Sequence, residues 1–143
     1  KYNTNITSLS FVFQNPIFLD RTVEENLEHI LYCKNIAKSE WKKIIKKYIT
    51  KYSLEYMLNL NVKVLSGGEL QLLSLLRSII VEPQILFYDE PTNNLDDKNV
   101  DLVIQIIKEL TEGGSSMIMV SHDKFSTDTI KYKQLSINQG VLE

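Results

Sequence analysis

Residues Leu65–Asp96 read LSGGELQLLSLLRSIIVEPQILFYDEPTNNLD, and this stretch predicts the centre of an α/β fold. Ser66-Gly67-Gly68 precedes an apolar segment, Leu70–Val81, that we predict to be a helix buried on most sides. A short continuous apolar run, Ile85–Tyr88, is typical of a central parallel strand, and it ends in Asp89-Glu90. Each of these features is common by itself. The Ser66-Gly67-Gly68 step and the Asp89-Glu90 pair, in this order and with one helix between them, indicate phosphate chemistry.

The residue types at the two ends of this stretch suit phosphoryl transfer. A helix that begins near Gly67 presents unpaired N–H groups and the positive end of its dipole, and the Ser66 hydroxyl adds a donor. The alternative is that Ser66 and Glu69 form only a capping box. Asp89, at a strand end, can hold Mg²⁺, and Glu90 can polarise an attacking water as a general base. The alternative for this pair is a solvated turn.

These motifs, with two flanking ones, resemble those of the ATP-binding-cassette (ABC) family of ATPases over nearly the whole chain, from about Leu9 onward. LSGGE resembles the family's signature, ILFYDEP its Walker B strand and NNLD its D-loop. FVFQNP (Phe11–Pro16) resembles the Q-loop and VSHD (Val120–Asp123) the H-loop. Glu69 stands where the family usually has Gln, and Leu72 where it often has Arg.

The resemblance implies a role for each matching residue, with ATP and Mg²⁺ as cofactors. Gln14 reaches the metal and the attacking water, Asp89 holds the metal, Glu90 is the catalytic base and His122 contacts the γ-phosphate. The signature residues grip the γ-phosphate of the nucleotide that the other subunit holds, and Asp96 communicates across the dimer. The signature residues are Ser66, Gly67, Gly68 and Glu69.

One motif of the family does not occur in the 143 residues: the phosphate loop (Walker A), G-x-x-x-x-G-K-S/T. The first residue is Lys rather than Met. We therefore expect a fragment that lacks the N-terminal strands and Walker A of the domain. Such a piece should fold poorly alone, expose apolar surface and bind nucleotide weakly.

Composition bounds the classes of function. With 43% hydrophobic and 24% charged residues the chain is typical of soluble globular proteins. Its net charge of −2 gives no overall basic field, so we expect no nucleic-acid partner. No apolar run approaches the roughly 18 residues that span a bilayer, so membrane association should come through a partner. A single cysteine, Cys33, excludes an intrachain disulfide and is compatible with a reducing cytosol.

The order of the segments predicts a P-loop NTPase-like α/β fold: a largely parallel sheet with an inserted helical subdomain. Residues 1–21 should carry the Q-loop strand (Leu9–Phe13) and its loop, 22–64 the helical subdomain, and 65–143 the remaining motifs and C-terminal strands. Thr22 and Glu25 fit a capping box.

Within the predicted helical subdomain, Ser39–Tyr52 is an amphipathic helix. Its lysine face is solvated or, alternatively, meets anionic lipid headgroups or an acidic partner. The lysines are Lys42, Lys43, Lys46, Lys47 and Lys51. Ser53–Leu60 is predicted to be a shorter helical piece, and His29 a packed or solvated histidine rather than a metal ligand.

After the D-loop, Val100–Leu110 predicts a helix that Gly113-Gly114 stops, and Met117–Val120 predicts a buried strand. A short helix near Lys124–Ile130 and a closing hairpin, Gln134–Ile137 with Val141–Leu142, should follow.

The leading interpretation is the ATPase subunit or domain of an ABC transporter, exporter-like rather than importer-like. It would dimerise with a second ABC ATPase domain and lie in the cytoplasm, at the inner face of the cell membrane, through a transmembrane partner. One alternative is a soluble ABC protein that acts on ribosomes, because DEPTNNLD resembles that group and the lysine face could meet RNA. Another is a truncated or degenerate cassette, which the intact Glu90 and His122 disfavour.

Overall fold

A computed structural model describes residues 8–92, 95–121 and 132–142 of the chain, in which helices alternate with strands as the sequence predicts. In chain order the elements are β1 (Leu9–Val12), α1 (Val23–Cys33), α2 (Lys38–Lys51), two short 3₁₀-helices (Glu55–Met57 and Val62–Val64), α3 (Gly67–Ile79), β2 (Ile85–Asp89), α4 (Asp97–Glu112), β3 (Ser116–Val120), β4 (Ile137–Asn138) and β5 (Val141–Leu142).

The three longer strands form a parallel sheet in the order β1-β2-β3. Phe11, Phe87 and Ile118 stand side by side across it, so the carboxyl ends of all three strands meet at one edge. β4 and β5 form the predicted closing hairpin, which is antiparallel, but its first strand is Ile137–Asn138 rather than Gln134–Ile137. The α/β class and the parallel sheet predicted from the sequence are confirmed.

The two faces of the sheet differ in burial. Val12, Leu86 and Tyr88 point to the face on which α3 and α4 pack, and each is at most 1% exposed. On the opposite face Phe11 stacks on Phe87 with ring centroids 4.8 Å apart, yet Phe11 is 49% exposed and Ile118 53% exposed. The expected exposed apolar surface is therefore present, and it is one face of the sheet. The prediction that Met117–Val120 is a buried strand is wrong in its burial, because Ile118 and Val120 of β3 lie on this uncovered face and are 53% and 58% exposed.

The segment between the sheet and α3 is mostly helical. Thr22 caps α1 in the predicted capping box: its hydroxyl oxygen accepts from the Glu25 N–H, and its own N–H donates to the Glu25 carboxylate. Asn26 is buried and ties α1 to the preceding chain, since its amide donates to the carbonyls of Leu19 and Thr22. Ser53–Leu60 was predicted to be helical, but there the structure has only one 3₁₀ turn, Glu55–Met57. Half-buried His29 contacts Cys33 at 3.8 Å.

The lysine face of α2 is only partly a free surface. Lys42, Lys43 and Lys46 are exposed, whereas Lys47 pairs with Glu82 in the loop after α3 and Lys51 pairs with Glu109 of α4. The prediction of a short helix near Lys124–Ile130 lies outside the described residues. No helix in the described ranges combines the length and apolarity needed to cross a bilayer.

Candidate functional site

The carboxyl edge of the sheet brings together residues that the sequence predicted to act on nucleotide and metal. Val12 and Tyr88 are register partners, so Gln14 follows β1 beside the position where Asp89 ends β2. Both side chains are exposed, and both line one cavity of about 730 Å³. The signature residues Ser66–Glu69 are not among those that line this cavity.

Glu90 occupies a strained position at the same edge. Its backbone has a φ of 52°, in the left-handed region that residues other than glycine seldom adopt. Its N–H donates to the carbonyl oxygen of Val120 at 2.8 Å. This hydrogen bond joins the residue after β2 to the last residue of β3. His122 lies two positions beyond Val120, outside the described residues, so its predicted contact with the γ-phosphate stays a prediction.

The oxygen donors at this edge fit a magnesium ion bound mainly by phosphate and water. Asp89 offers a carboxylate and Gln14 an amide oxygen, and both are hard ligands of the kind that Mg²⁺ takes. Within the described ranges no group of three or more His, Cys, Asp or Glu side chains is placed to hold a metal. The protein residues present would therefore supply only part of a coordination shell.

The signature segment forms the amino end of α3. Ser66 is its N-cap: the hydroxyl accepts from the Glu69 N–H at 3.3 Å and donates to Glu69 Oε2 at 2.8 Å. The Ser66 N–H also donates to that oxygen, at 2.8 Å. A Cβ added at Gly67 would meet nothing within 4 Å, so this side of the segment is open. The capping box that Ser66 and Glu69 were predicted to form is thus confirmed. Its presence is compatible with a phosphate-binding role for the same segment.

The pKa of Glu69 lies below its ordinary value of 4.5. Hydrogen bonds from the Ser66 backbone and hydroxyl are the main causes, and Tyr56 contributes a further one. They outweigh desolvation, which acts in the opposite direction. Glu69 therefore carries its negative charge at neutral pH.

Two side chains of α3 that the sequence analysis did not single out hold the helix against the Q-loop strand and the segment after it. Ser78 Oγ donates to the Phe11 carbonyl at 2.9 Å. Arg77 Nη1 donates to the Ile17 carbonyl at 2.8 Å, and the guanidinium lies 5.1 Å from the centroid of the Phe18 ring. A serine and an arginine within an apolar helix were the available signal. Leu72, at the position where the family often has Arg, is fully buried.

Asp96 has a local structural role at the start of α4. It is the N-cap, and its side chain accepts from the Asn99 N–H at 2.9 Å. Asn93 and Asn94, the first half of the NNLD motif, lie outside the described residues. The predicted contact of Asp96 across a dimer therefore stays a prediction.

Comparison with known proteins assigns the chain to a family. The family described as "ABC transporter" matches residues 3–93. The chain is 31% identical over 140 residues to the histidine/lysine/arginine/ornithine transport ATP-binding protein HisP of Escherichia coli, covering 96% of this chain and 54% of HisP. It is 32% identical to the lipoprotein-releasing system ATP-binding protein LolD of Buchnera aphidicola, covering 80% of this chain and 51% of LolD. A third relative, 31% identical, is the sn-glycerol-3-phosphate import ATP-binding protein UgpC of Paracoccus denitrificans (94% of this chain, 39% of UgpC). The chain thus spans about half the length, or less, of these curated relatives.

Solved structures agree with the fold. The dimeric ATP-binding cassette MJ0796 in a post-hydrolysis state with ADP and Pi is 31% identical, with a TM-score of 0.70 over 81% of this chain and 53% of that one. The cbiO1 protein of Clostridium perfringens, part of an ABC transporter complex, also has a TM-score of 0.70, over 81% of this chain and 47% of that one. At 23% identity the second likeness concerns the fold alone.

Proposed function

The chain belongs to the ABC transporter family of ATP-binding proteins, and from this premise we propose that it is part of an ATPase that drives a membrane transporter. The observation that carries the proposal is the parallel register of β1 and β2. It brings Gln14 and Asp89 to the same edge of the sheet, with Glu90 next in the chain, and both residues contribute to a cavity that extends along β1 to α1 and α3. That arrangement suits a metal–phosphate group and a water placed beside it.

In this proposal each residue of the edge has one task. Asp89 and Gln14 hold Mg²⁺ together with the nucleotide's phosphates, and Glu90 accepts a proton from the attacking water. His122, which follows β3, stabilises charge on the γ-phosphate. The missing phosphate loop would come from a part of the protein that precedes this stretch, since its backbone N–H groups and Lys have no counterpart in these 143 residues.

The signature segment would act on a second nucleotide. Ser66 and Gly67 are exposed at the start of α3, with buried Gly68 next in the helix, and this start suits the phosphate of an ATP held by a second ABC ATPase domain. The dimeric state of MJ0796 with ADP and Pi supports a paired arrangement. We place the assembly on the cytoplasmic side of a membrane, attached through a transmembrane partner.

The relatives bear on the kind of transport. The expected exporter-like subtype is not supported, because UgpC is named for import and none of the three relatives compared above is named as an exporter. Their names also favour transport over action on ribosomes. Import is therefore the direction that we propose.

A substitution of the proposed base tests this function in the longer polypeptide that carries the phosphate loop. Glu90→Gln should keep ATP binding within about twofold and reduce phosphate release by about 100-fold or more, the size expected for loss of a general base. Glu112→Gln, an exposed carboxylate at the end of α4, is the matched control and should change neither quantity. Wild-type turnover by Glu90→Gln would remove Glu90 from this role, and failure of the unmodified protein to bind ATP would overturn the whole proposal.

A further inference from the structure

Ser66 gives both of its donors to a single atom of its own chain. The backbone N–H and the hydroxyl both donate to Glu69 Oε2, and each donor–acceptor distance is 2.8 Å. In the proposed function the same hydroxyl, with the N–H groups of the first turn, is offered to the phosphate of a partner's nucleotide. The carboxylate of Glu69 and that phosphate are both anions, and they would compete for one donor.

The chain contains a second capping box that serves as an internal comparison. At the start of α1, the Thr22 N–H and hydroxyl donate to Glu25 Oε2, each at 2.9 Å. The returning bond from the Glu25 N–H to Thr22 Oγ1 is 3.2 Å, close to the 3.3 Å found at Ser66. The two boxes are nearly identical in geometry. Only the one at Ser66 lies in a signature motif, so a structural role and a role in nucleotide capture can be separated.

The residue type at position 69 decides how strongly the Ser66 hydroxyl is held. A carboxylate accepts a charge-assisted hydrogen bond, which is about twice as strong as the bond that a neutral amide oxygen accepts. It also places a negative charge within one turn of the phosphate site, where like charges repel. A glutamine would accept the same bonds without the charge, and its amide N–H₂ could donate to phosphate.

We propose that Glu69 acts as an internal anion that competes with the γ-phosphate for the Ser66 hydroxyl, and so sets the ATP concentration at which the two ATPase domains close on each other. This inference rests on the proposed function, and it deepens that function by assigning a tuning role to one residue of the signature. Glu69 is a positioning residue in this scheme, because it acts through Ser66 and takes no part in the chemical step. The substitution that weakens the competition is Glu69→Gln, because the glutamine amide oxygen accepts the Ser66 bonds without the negative charge.

The test is the ATP dependence of dimer formation in the full-length protein, with Glu90→Gln present throughout to prevent turnover. Sedimentation velocity at fixed protein and Mg²⁺ concentrations gives the ATP concentration at half-maximal dimer. Adding Glu69→Gln should lower this midpoint about fivefold, the size expected from removing one like charge at a solvent-exposed site. Adding Glu25→Gln should leave the midpoint unchanged, although both substitutions weaken a helix cap and should lower the melting temperature by similar small amounts.

A midpoint for Glu69→Gln that equals or exceeds that of the Glu90→Gln parent would overturn the inference. So would an equal shift with Glu25→Gln, because the effect would then be one of helix stability alone. If the parent forms no dimer at any ATP concentration, the proposed function itself fails, which is a different result from a dimer with an unmoved midpoint.

Discussion

Three helices end in the same backbone arrangement but place different residues in its left-handed position. After α1, α2 and α4 the residues with positive φ are Asn35 (56°), Ser53 (55°) and Gly114 (96°). After α2, the Ser53 N–H donates to the Thr50 carbonyl at 3.3 Å and the Leu54 N–H to the Ile49 carbonyl at 3.0 Å, which is a Schellman motif. Serine is the least suited of the three residues to this conformation, since glycine carries no Cβ and asparagine tolerates positive φ.

Ser53→Gly should therefore raise the free energy of unfolding by about 1 kcal/mol, because the left-handed conformation costs a residue with a Cβ about that much. Asn35→Gly should have a smaller effect, and Gly114→Ala should destabilise by about 1 kcal/mol. Urea unfolding of the three variants of the full-length protein gives the comparison. A Ser53→Gly variant no more stable than the parent would show that the loop strain is relieved elsewhere.

Sequence reasoning succeeds at this scale where the signal is local. Thr22 with Glu25, and Ser66 with Glu69, are separated by three residues, so a capping box can be read directly from the chain. Gly113-Gly114 likewise predicts the end of α4. The positive φ of Glu90 could not be predicted, because glutamate seldom adopts it and it accompanies a bond to Val120, which lies on another strand.

At the scale of elements, α2 is held to the rest of the fold by two equivalent clusters, one turn apart. Lys47 and Tyr48 both contact Glu82 Oε1, at 3.0 and 3.3 Å. Lys51 and Tyr52 both contact Glu109 Oε2, at 2.7 and 3.0 Å. The ion pairs are partly solvated, whereas both tyrosines are buried, so the phenol hydrogen bonds should matter more than the charges.

Tyr52→Phe should lower the free energy of unfolding by about 1.5 kcal/mol, since it removes a hydrogen bond to a charged acceptor and keeps the ring. Tyr48→Phe should cost less, because its bond is longer and Glu82 is more exposed than Glu109. Lys42→Ala, on the exposed face of the same helix, is the control and should have little effect. Equal losses for Tyr52→Phe and Lys42→Ala, measured by urea unfolding, would contradict a special role for the clusters.

Acid should weaken the Glu82 cluster. The hydrogen bond and the charge of Lys47 hold the pKa of Glu82 below its ordinary value of 4.5. The stabilisation that this carboxylate contributes is therefore present above that value and is lost as the pH falls through the lower, folded-state pKa. Melting temperatures recorded from pH 7 downward should fall more steeply below about pH 4.5 for the parent than for Glu82→Gln. Parallel curves would show that the carboxylate gains nothing from Lys47.

Neither cluster could be predicted from the sequence, for a physical reason. The hydrogen-bonded partners lie 34 to 57 residues apart, and hydrophobic periodicity reports only which face of a helix is buried. The pattern of α2 therefore indicated a lysine face, but not which lysines pair with carboxylates once distant parts of the chain pack together.

At the scale of the whole molecule, the class of fold was predictable from the sequence, and the two faces of the sheet differ in how far they are covered. Alternation of helices and strands predicts a parallel sheet, but not the order β1-β2-β3, which depends on contacts across the entire chain. Parallel sheets in α/β proteins are covered on both faces. Here helices cover one face, and Phe11, Phe13, Ile118 and Val120 on the other remain 49 to 60% exposed. We therefore expect a further layer to cover this face in a longer polypeptide.

We therefore predict opposite effects of one substitution in two contexts. In the isolated 143-residue chain, Ile118→Lys should reduce self-association, because it places a charge in the exposed apolar face. In the longer polypeptide the same change should cost about 2 kcal/mol or more of stability, because the lysine would be buried without a partner under the missing layer. Tyr32→Lys, at an exposed position of α1, is the matched control and should do little in either context. Sedimentation of the isolated chains and melting of the longer ones measure the two effects. If Ile118→Lys is as harmless as Tyr32→Lys in the longer polypeptide, the face stays open there and no layer covers it.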